Sequence, residues 1–165
     1  GLLAGLVVQA HLTKPFLPIP PGKDQTRQFH GWRELGGQIS RITGERLSGN
    51  GYILVSDKGT TAAEAVFYSG TRLTGLDLFQ PERYVFLGDL STLRGRDAVL
   101  VLHGANEAGL KRYEGYFDSI EPAGAHDNLF RGVKIDGLSV KLFIARGFVG
   151  SWTAASRQDS TPARP

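Results

Sequence analysis

The sequence predicts an α/β domain: an open, mostly parallel sheet with helices on both faces and a C-terminal antiparallel hairpin. Three observations lead there. Short apolar runs of β-forming residues, Tyr52-Ile53-Leu54-Val55 and Asp97-Ala98-Val99-Leu100-Val101-Leu102, alternate with stretches of helical periodicity, the pattern of strand–helix–strand units. Asp136-Gly137 stands between two alternating apolar runs, Leu129 to Ile135 and Leu138 to Ile144, a strong hairpin signal because both turn positions need positive φ. Finally, 165 residues with 41% hydrophobic and 21% charged side chains suffice for one core and exclude the composition of a disordered chain.

The elements follow in order. Residues 1–10 are apolar except for Gln9, and Phe16, Leu17 and Ile19 carry that character past His11 and Lys14. This is short of the roughly 20 apolar residues that span a bilayer. Three readings stand: the last turns of a transmembrane helix, a signal-peptide remnant, or a buried helix of the domain. Pro15, Pro18, Pro20 and Pro21 then make a stiff connector, since each fixes its own φ and drives the preceding residue out of helical space. Residues 1–23 are accordingly read as a membrane-helix end plus connector, 24–152 as the soluble α/β domain, and 153–165 as a disordered tail with no large apolar residue. The chain has no methionine, so Gly1 is expected to lie inside a longer protein.

Trp32, Leu35, Ile39 and Ile42 recur at helical spacing, predicting an amphipathic helix that stops at Gly44. After the strand at 52–55, Ser56-Asp57-Lys58-Gly59 forms a loop, and a helix runs through Ala62, Val66 and Phe67. Thr61 and Glu64 have capping-box spacing at its start. Arg72 to Leu78 alternates as a second strand. The buried run 97–102 is a third, ending at His103-Gly104, and a helix over about 107–118 presents Leu110, Tyr113 and Phe117.

Composition removes several functions. A net charge of +3 spread along the chain does not follow a phosphate backbone, so nucleic acid is not an expected partner. The absence of cysteine excludes thiol nucleophiles and thiolate metal sites. His11, His30, His103 and His126 are isolated, so no metal is expected. With no nucleotide-binding or nucleophile-elbow motif, no cofactor is expected and no catalytic residue is assigned.

Two clusters remain as ligand candidates. Ligands of open α/β sheets bind beyond the carboxyl ends of strands, and helix starts attract anions. There Ser56, Lys58, Gly59, Thr60 and Thr61 would cradle a phosphate, or else simply turn and cap the chain. His103, ending another strand, makes an acid/base pair with Asp57 if the two strands are neighbours. The second cluster is Asp24, Arg27, His30, Trp32 and Arg33, just after the apolar start. Arg27 and Arg33 suit lipid phosphates and Trp32 suits the headgroup level. The alternative makes Trp32 a core anchor and the charges a solvated face.

From the apolar start to Gly147-Phe148 the chain resembles the C-terminal soluble domain of bacterial membrane glycosyltransferases related to dolichyl-phosphate-mannose protein mannosyltransferases. The segments that carry the resemblance are Asp24-Gln25-Thr26-Arg27, Gly31-Trp32-Arg33-Glu34-Leu35, Ile53-Leu54-Val55-Ser56-Asp57 and Ala63-Glu64-Ala65-Val66-Phe67-Tyr68. To these add Gly95-Arg96-Asp97-Ala98-Val99-Leu100-Val101 and Leu142-Phe143-Ile144-Ala145-Arg146-Gly147-Phe148. One departure is Asp57-Lys58-Gly59-Thr60-Thr61, which lacks the Arg-Tyr-Gln type residues expected there.

The resemblance implies transfer of a sugar from a polyprenyl-phosphate carrier to an acceptor outside the membrane. The catalytic acids then belong to an early extracytoplasmic loop of the same protein, and this domain is inactive alone. The implied partners are the membrane portion of the same protein, a lipid-linked sugar donor and an unidentified acceptor. The implied location is the extracytoplasmic, periplasmic side, and Asp24, Arg27, Trp32 and Arg33 become candidate contacts near the donor. Lys14, Lys23, Arg27 and Arg33 run mildly against the positive-inside tendency at that location. Two further readings are an interaction module docking through the hairpin edge, and a free-standing enzyme using Asp57, Lys58 and His103.

Overall fold

The apolar runs form the centre of a sheet, as their β-branched and leucine content favours. The computed structural model describes residues 2–47, 51–70, 74–80, 90–104, 107–135 and 137–149. Strands β1 (Ile53–Ser56), β2 (Thr74–Leu76) and β3 (Ala98–His103) are parallel to one another. The strands β4 (Phe117–His126) and β7 (Val140–Phe148) complete the sheet antiparallel, in the order β2-β1-β3-β7-β4. The fold is thus α/β around a mixed five-stranded sheet, parallel at one end and antiparallel at the other. A separate ribbon pairs β5 (Leu129–Phe130) with β6 (Val133–Lys134).

Strand alternation sends successive side chains to opposite faces, and the core divides accordingly. Leu54, Val99, Val101, Leu142 and Ile144 meet Leu35, Ile39 and Ile42 of α2 (Trp32–Arg46) and Ala62 and Ala65 of α3 (Gly59–Ser69). Ile53, Val55, Leu100, Leu102 and Phe143 face the other way, onto Tyr113 of α4 (Glu107–Glu114) and Tyr116. Helices therefore cover both faces. Each fully buried Leu or Ile contributes about 1.5–3 kcal/mol relative to exposure.

At Gly36, where α2 crosses α3, a Cβ would run into the backbone carbonyl of Tyr68, so the helices approach over a residue without a side chain. Helix α2 runs past Gly44 to Arg46, because one interior glycine costs only about 1 kcal/mol and packing of Ile42 and Leu47 exceeds that.

Several expectations need correction. The sheet is mixed and not mostly parallel, because β7 inserts antiparallel between β3 and β4. Runs 129–135 and 138–144 do not pair as one hairpin. Instead Leu129 pairs with Lys134 and Phe130 with Val133, and the tight turn is Arg131-Gly132, whose φ angles are 53° and 77°. Asp136 lies outside the described residues.

The partner of β7 is β4, an edge strand whose side chains are mostly exposed on both faces, so its sequence lacks the apolar alternation that would announce it. Pro122 and a bulge between Pro122 and Gly124 interrupt this edge, which blunts it against strand addition. Helix α4 ends at Glu114, and Phe117 opens β4. The expected capping box is also absent: α3 begins at Gly59 after Lys58, and Thr61 is already inside its first turn. The stretch 71–73 of the second predicted strand and the tail 153–165 lie outside the described residues.

The N-terminal stretch forms α1 (Leu2–Thr13), which does not join the core. Leu2 and Leu3 are 86% and 78% exposed, and Leu6 and Val8 are exposed too. No described helix is long and apolar enough to cross a membrane.

Candidate functional site

Parallel pairing of β1 with β3 aligns Ser56 with Val101, so Asp57, one residue on, and His103, two residues on, emerge together at the carboxyl edge. His103 Nδ1 lies 2.8 Å from Asp57 Oδ1, and the His103 backbone N–H donates to Asp57 Oδ2 at 3.1 Å. Burial pushes the Asp57 carboxyl up, but the His103 ring and backbone and the Ser56 hydroxyl outweigh it and bring the group below its ordinary 3.8. An ionised carboxylate only accepts, so His103 Nδ1 carries the proton and Nε2 faces Thr61 Oγ1 at 3.4 Å.

A hydroxyl, an imidazole and a carboxylate in this order are the parts of an activated nucleophile. The Thr61 hydroxyl, however, belongs to a residue 2% exposed, and a substrate has no approach to it. What the row accomplishes is to bind the ends of β1 and β3 to the first turn of α3.

The phosphate-cradle residues divide in the same way. Ser56 is fully buried and donates to the Val101 carbonyl at 2.7 Å across the sheet. Lys58 and Thr60 are exposed, and Lys58 joins the group through its backbone N–H, which donates to Ser56 Oγ at 3.3 Å. The same edge holds two residues that sequence reasoning missed. Asp77 follows β2 as Asp57 follows β1, is buried, and accepts from the Phe79 backbone N–H at 3.0 Å. Tyr113 rises from α4 on the opposite face. Burial, with Asp57 and Asp77 adding to it, pushes its phenol above the ordinary 10.0. An aspartate directly after an apolar strand was the available signal for Asp77.

The connector cluster is arranged around a buried pair. His11 Nε2 lies 2.8 Å from Asp24 Oδ2, and both residues are buried. The backbone N–H groups of Phe16 and Leu17 donate to His11 Nδ1 at 2.9 and 3.1 Å, so Nε2 carries the proton given to Asp24. The other oxygen, Oδ1, accepts from Thr26 N at 2.9 Å and Thr26 Oγ1 at 2.7 Å, starting the 3-10 turn Gln25–Phe29. Burial alone would raise the Asp24 carboxyl, but these bonds bring it down to about 2.

Both Asp24 oxygens are engaged, and they join the last turn of α1 to the domain. Trp32 is likewise a helix anchor, packing against the α2–α3 core and donating Nε1–H to the Gln28 carbonyl at 2.7 Å. Arg33 is exposed on α2. Arg27 donates to the Gly22 carbonyl and lines a groove of about 180 Å³ with Pro21, Gly22, Val133, Lys134 and Ile135.

Two of the segments singled out in the sequence meet at the far end of the sheet. Arg146 Nη1 donates to Asp97 Oδ2 at 2.7 Å and Nη2 to the Arg46 carbonyl at 3.0 Å, while Gly147 N–H donates to Asp97 Oδ1 at 3.2 Å. Glu121 adds an ion pair with Arg46 at 2.9 Å. Among the described residues no three His, Asp or Glu side chains are grouped to hold a metal ion. In comparison with known proteins, the chain matches no family model, no curated protein and no solved structure.

Proposed function

We propose that this chain is the extracytoplasmic domain of a membrane glycosyltransferase that uses a polyprenyl-phosphate sugar, and that it assists donor or acceptor binding without carrying the catalytic groups. The observation that supports this reading is α1. Its apolar side chains are exposed along the helix, and its last turn is tied to the domain through the buried His11–Asp24 pair. Apolar surface left bare on this scale marks an interaction site, and a bilayer or neighbouring membrane helices would cover it.

The test is the protein encoded together with the sequence upstream of Gly1. Membranes containing it should transfer sugar from a polyprenyl-phosphate donor, and deletion of residues 24–152 should lower that transfer while the isolated chain shows none. An upstream sequence without long apolar spans, or membranes without transfer, would sink the proposal.

A further inference from the structure

The groove beside the connector has a composition of its own. Its walls are Pro21, Val133 and Ile135, and its charges are Arg27 and Lys134. Arg131 stands at the neighbouring turn and donates Nη1–H to the Leu17 carbonyl at 3.1 Å and the Ile19 carbonyl at 3.0 Å, which fastens the β5–β6 ribbon to the connector. Among the described residues neither Arg27 nor Arg131 has a carboxylate within ion-pair distance, whereas Lys134 shares its charge with Asp127 at 2.6 Å. With Lys134 paired to Asp127, Arg27 is the uncompensated charge lining the groove, and Arg131 adds a second cation at the neighbouring turn. Val133 of the groove wall is exposed, and so is Phe16 on the connector, which stacks edge-on against His11.

We infer that this groove seats the phosphate of an anionic phospholipid headgroup, holding the domain against the bilayer in one orientation. The occupant is argued from charge and position. Guanidinium and ammonium groups suit a phosphodiester, the apolar walls suit its glycerol and upper acyl carbons, and the connector runs directly from the exposed helix that a membrane would cover. A juxtamembrane cation near an anionic surface strengthens binding about fivefold, which is the contribution of the uncompensated Arg27. This inference rests on the reading of α1 as a membrane-attached helix, and the experiment separates the two.

The full 165-residue chain is floated with vesicles of phosphatidylcholine alone and of an equal mixture of phosphatidylcholine and phosphatidylglycerol. The parent should bind both and prefer the mixture, and the preference should fade with salt. Arg27→Gln should remove roughly fivefold of the preference and leave binding to phosphatidylcholine unchanged. Leu3→Asp with Leu6→Asp should abolish binding to both. Equal binding of the parent to both vesicles, an undiminished preference in the Gln variant, or loss of the preference to soluble glycerol phosphate overturns the headgroup site while leaving α1 attachment intact. Failure of the parent to bind either vesicle overturns both. Circular dichroism confirms that each variant is folded.

Discussion

His11 and Asp24, thirteen residues apart and on either side of four prolines, share a hydrogen bond of 2.8 Å between buried side chains. It makes the start of the connector a defined junction, because the same ring also accepts the backbone N–H groups of Phe16 and Leu17.

This junction should be acid-sensitive. Asp24 has a pKa near 2 in the folded chain against its ordinary 3.8, so the folded state favours the ionised form. The stabilisation is complete above 3.8 and is lost as pH falls toward 2. Urea midpoints of the parent and of Asp24→Asn should differ at neutral pH and converge over that interval. A gap independent of pH would show that the carboxylate charge has no part in it.

The Asp57–His103 pair predicts a purely structural penalty. Asp57→Ala leaves the His103 backbone and ring N–H without their acceptor, and bonds to charged groups contribute about 1.5–3 kcal/mol. Denaturant unfolding should register a loss of about 2 kcal/mol. A variant as stable as the parent would free Asp57 for a ligand role and reopen the acid/base reading.

Gly31 precedes α2 at φ 86°, and a Cβ there would collide with the Asn128 carboxamide, whose Nδ2 donates to the His30 carbonyl at 2.7 Å. Gly31→Ala should destabilise by about 2 kcal/mol, combining left-handed strain with overpacking. In a double-mutant cycle with Asn128→Ala the two penalties should fall short of additive, since the second change removes the obstacle. Strict additivity would mean that strain alone is responsible.

Tyr113 makes an alkaline prediction. Its phenol is buried, its oxygen has no hydrogen-bond partner among the described residues, and its pKa is raised above 10.0. Above that pH the unfolded state releases the proton first, so stability declines as pH rises. Tyr113→Phe should match or exceed the parent at neutral pH and lose less stability at high pH. Ultraviolet titration of the parent should contain one late-ionising tyrosine that the variant lacks.

The sequence by itself determined the pieces whose information is local. Periodicity of 3.6 along Trp32, Leu35, Ile39 and Ile42 specified α2, and continuous β-forming runs specified β1 and β3, because one face or both must be apolar wherever those residues are buried. It also nominated Asp57 and His103 as neighbours on the condition that their strands pair, and they do.

Tertiary structure alone decided the rest. Arg131-Gly132 closes the short β5–β6 ribbon, and β7 pairs with β4, whose exposed edge left no apolar pattern to read. Burial likewise settled what the polar residues do. In the linear sequence Asp24 belongs to a charged cluster and Thr61 to a helix start, but long-range packing encloses both, and an enclosed polar group must spend its hydrogen bonds inside the protein.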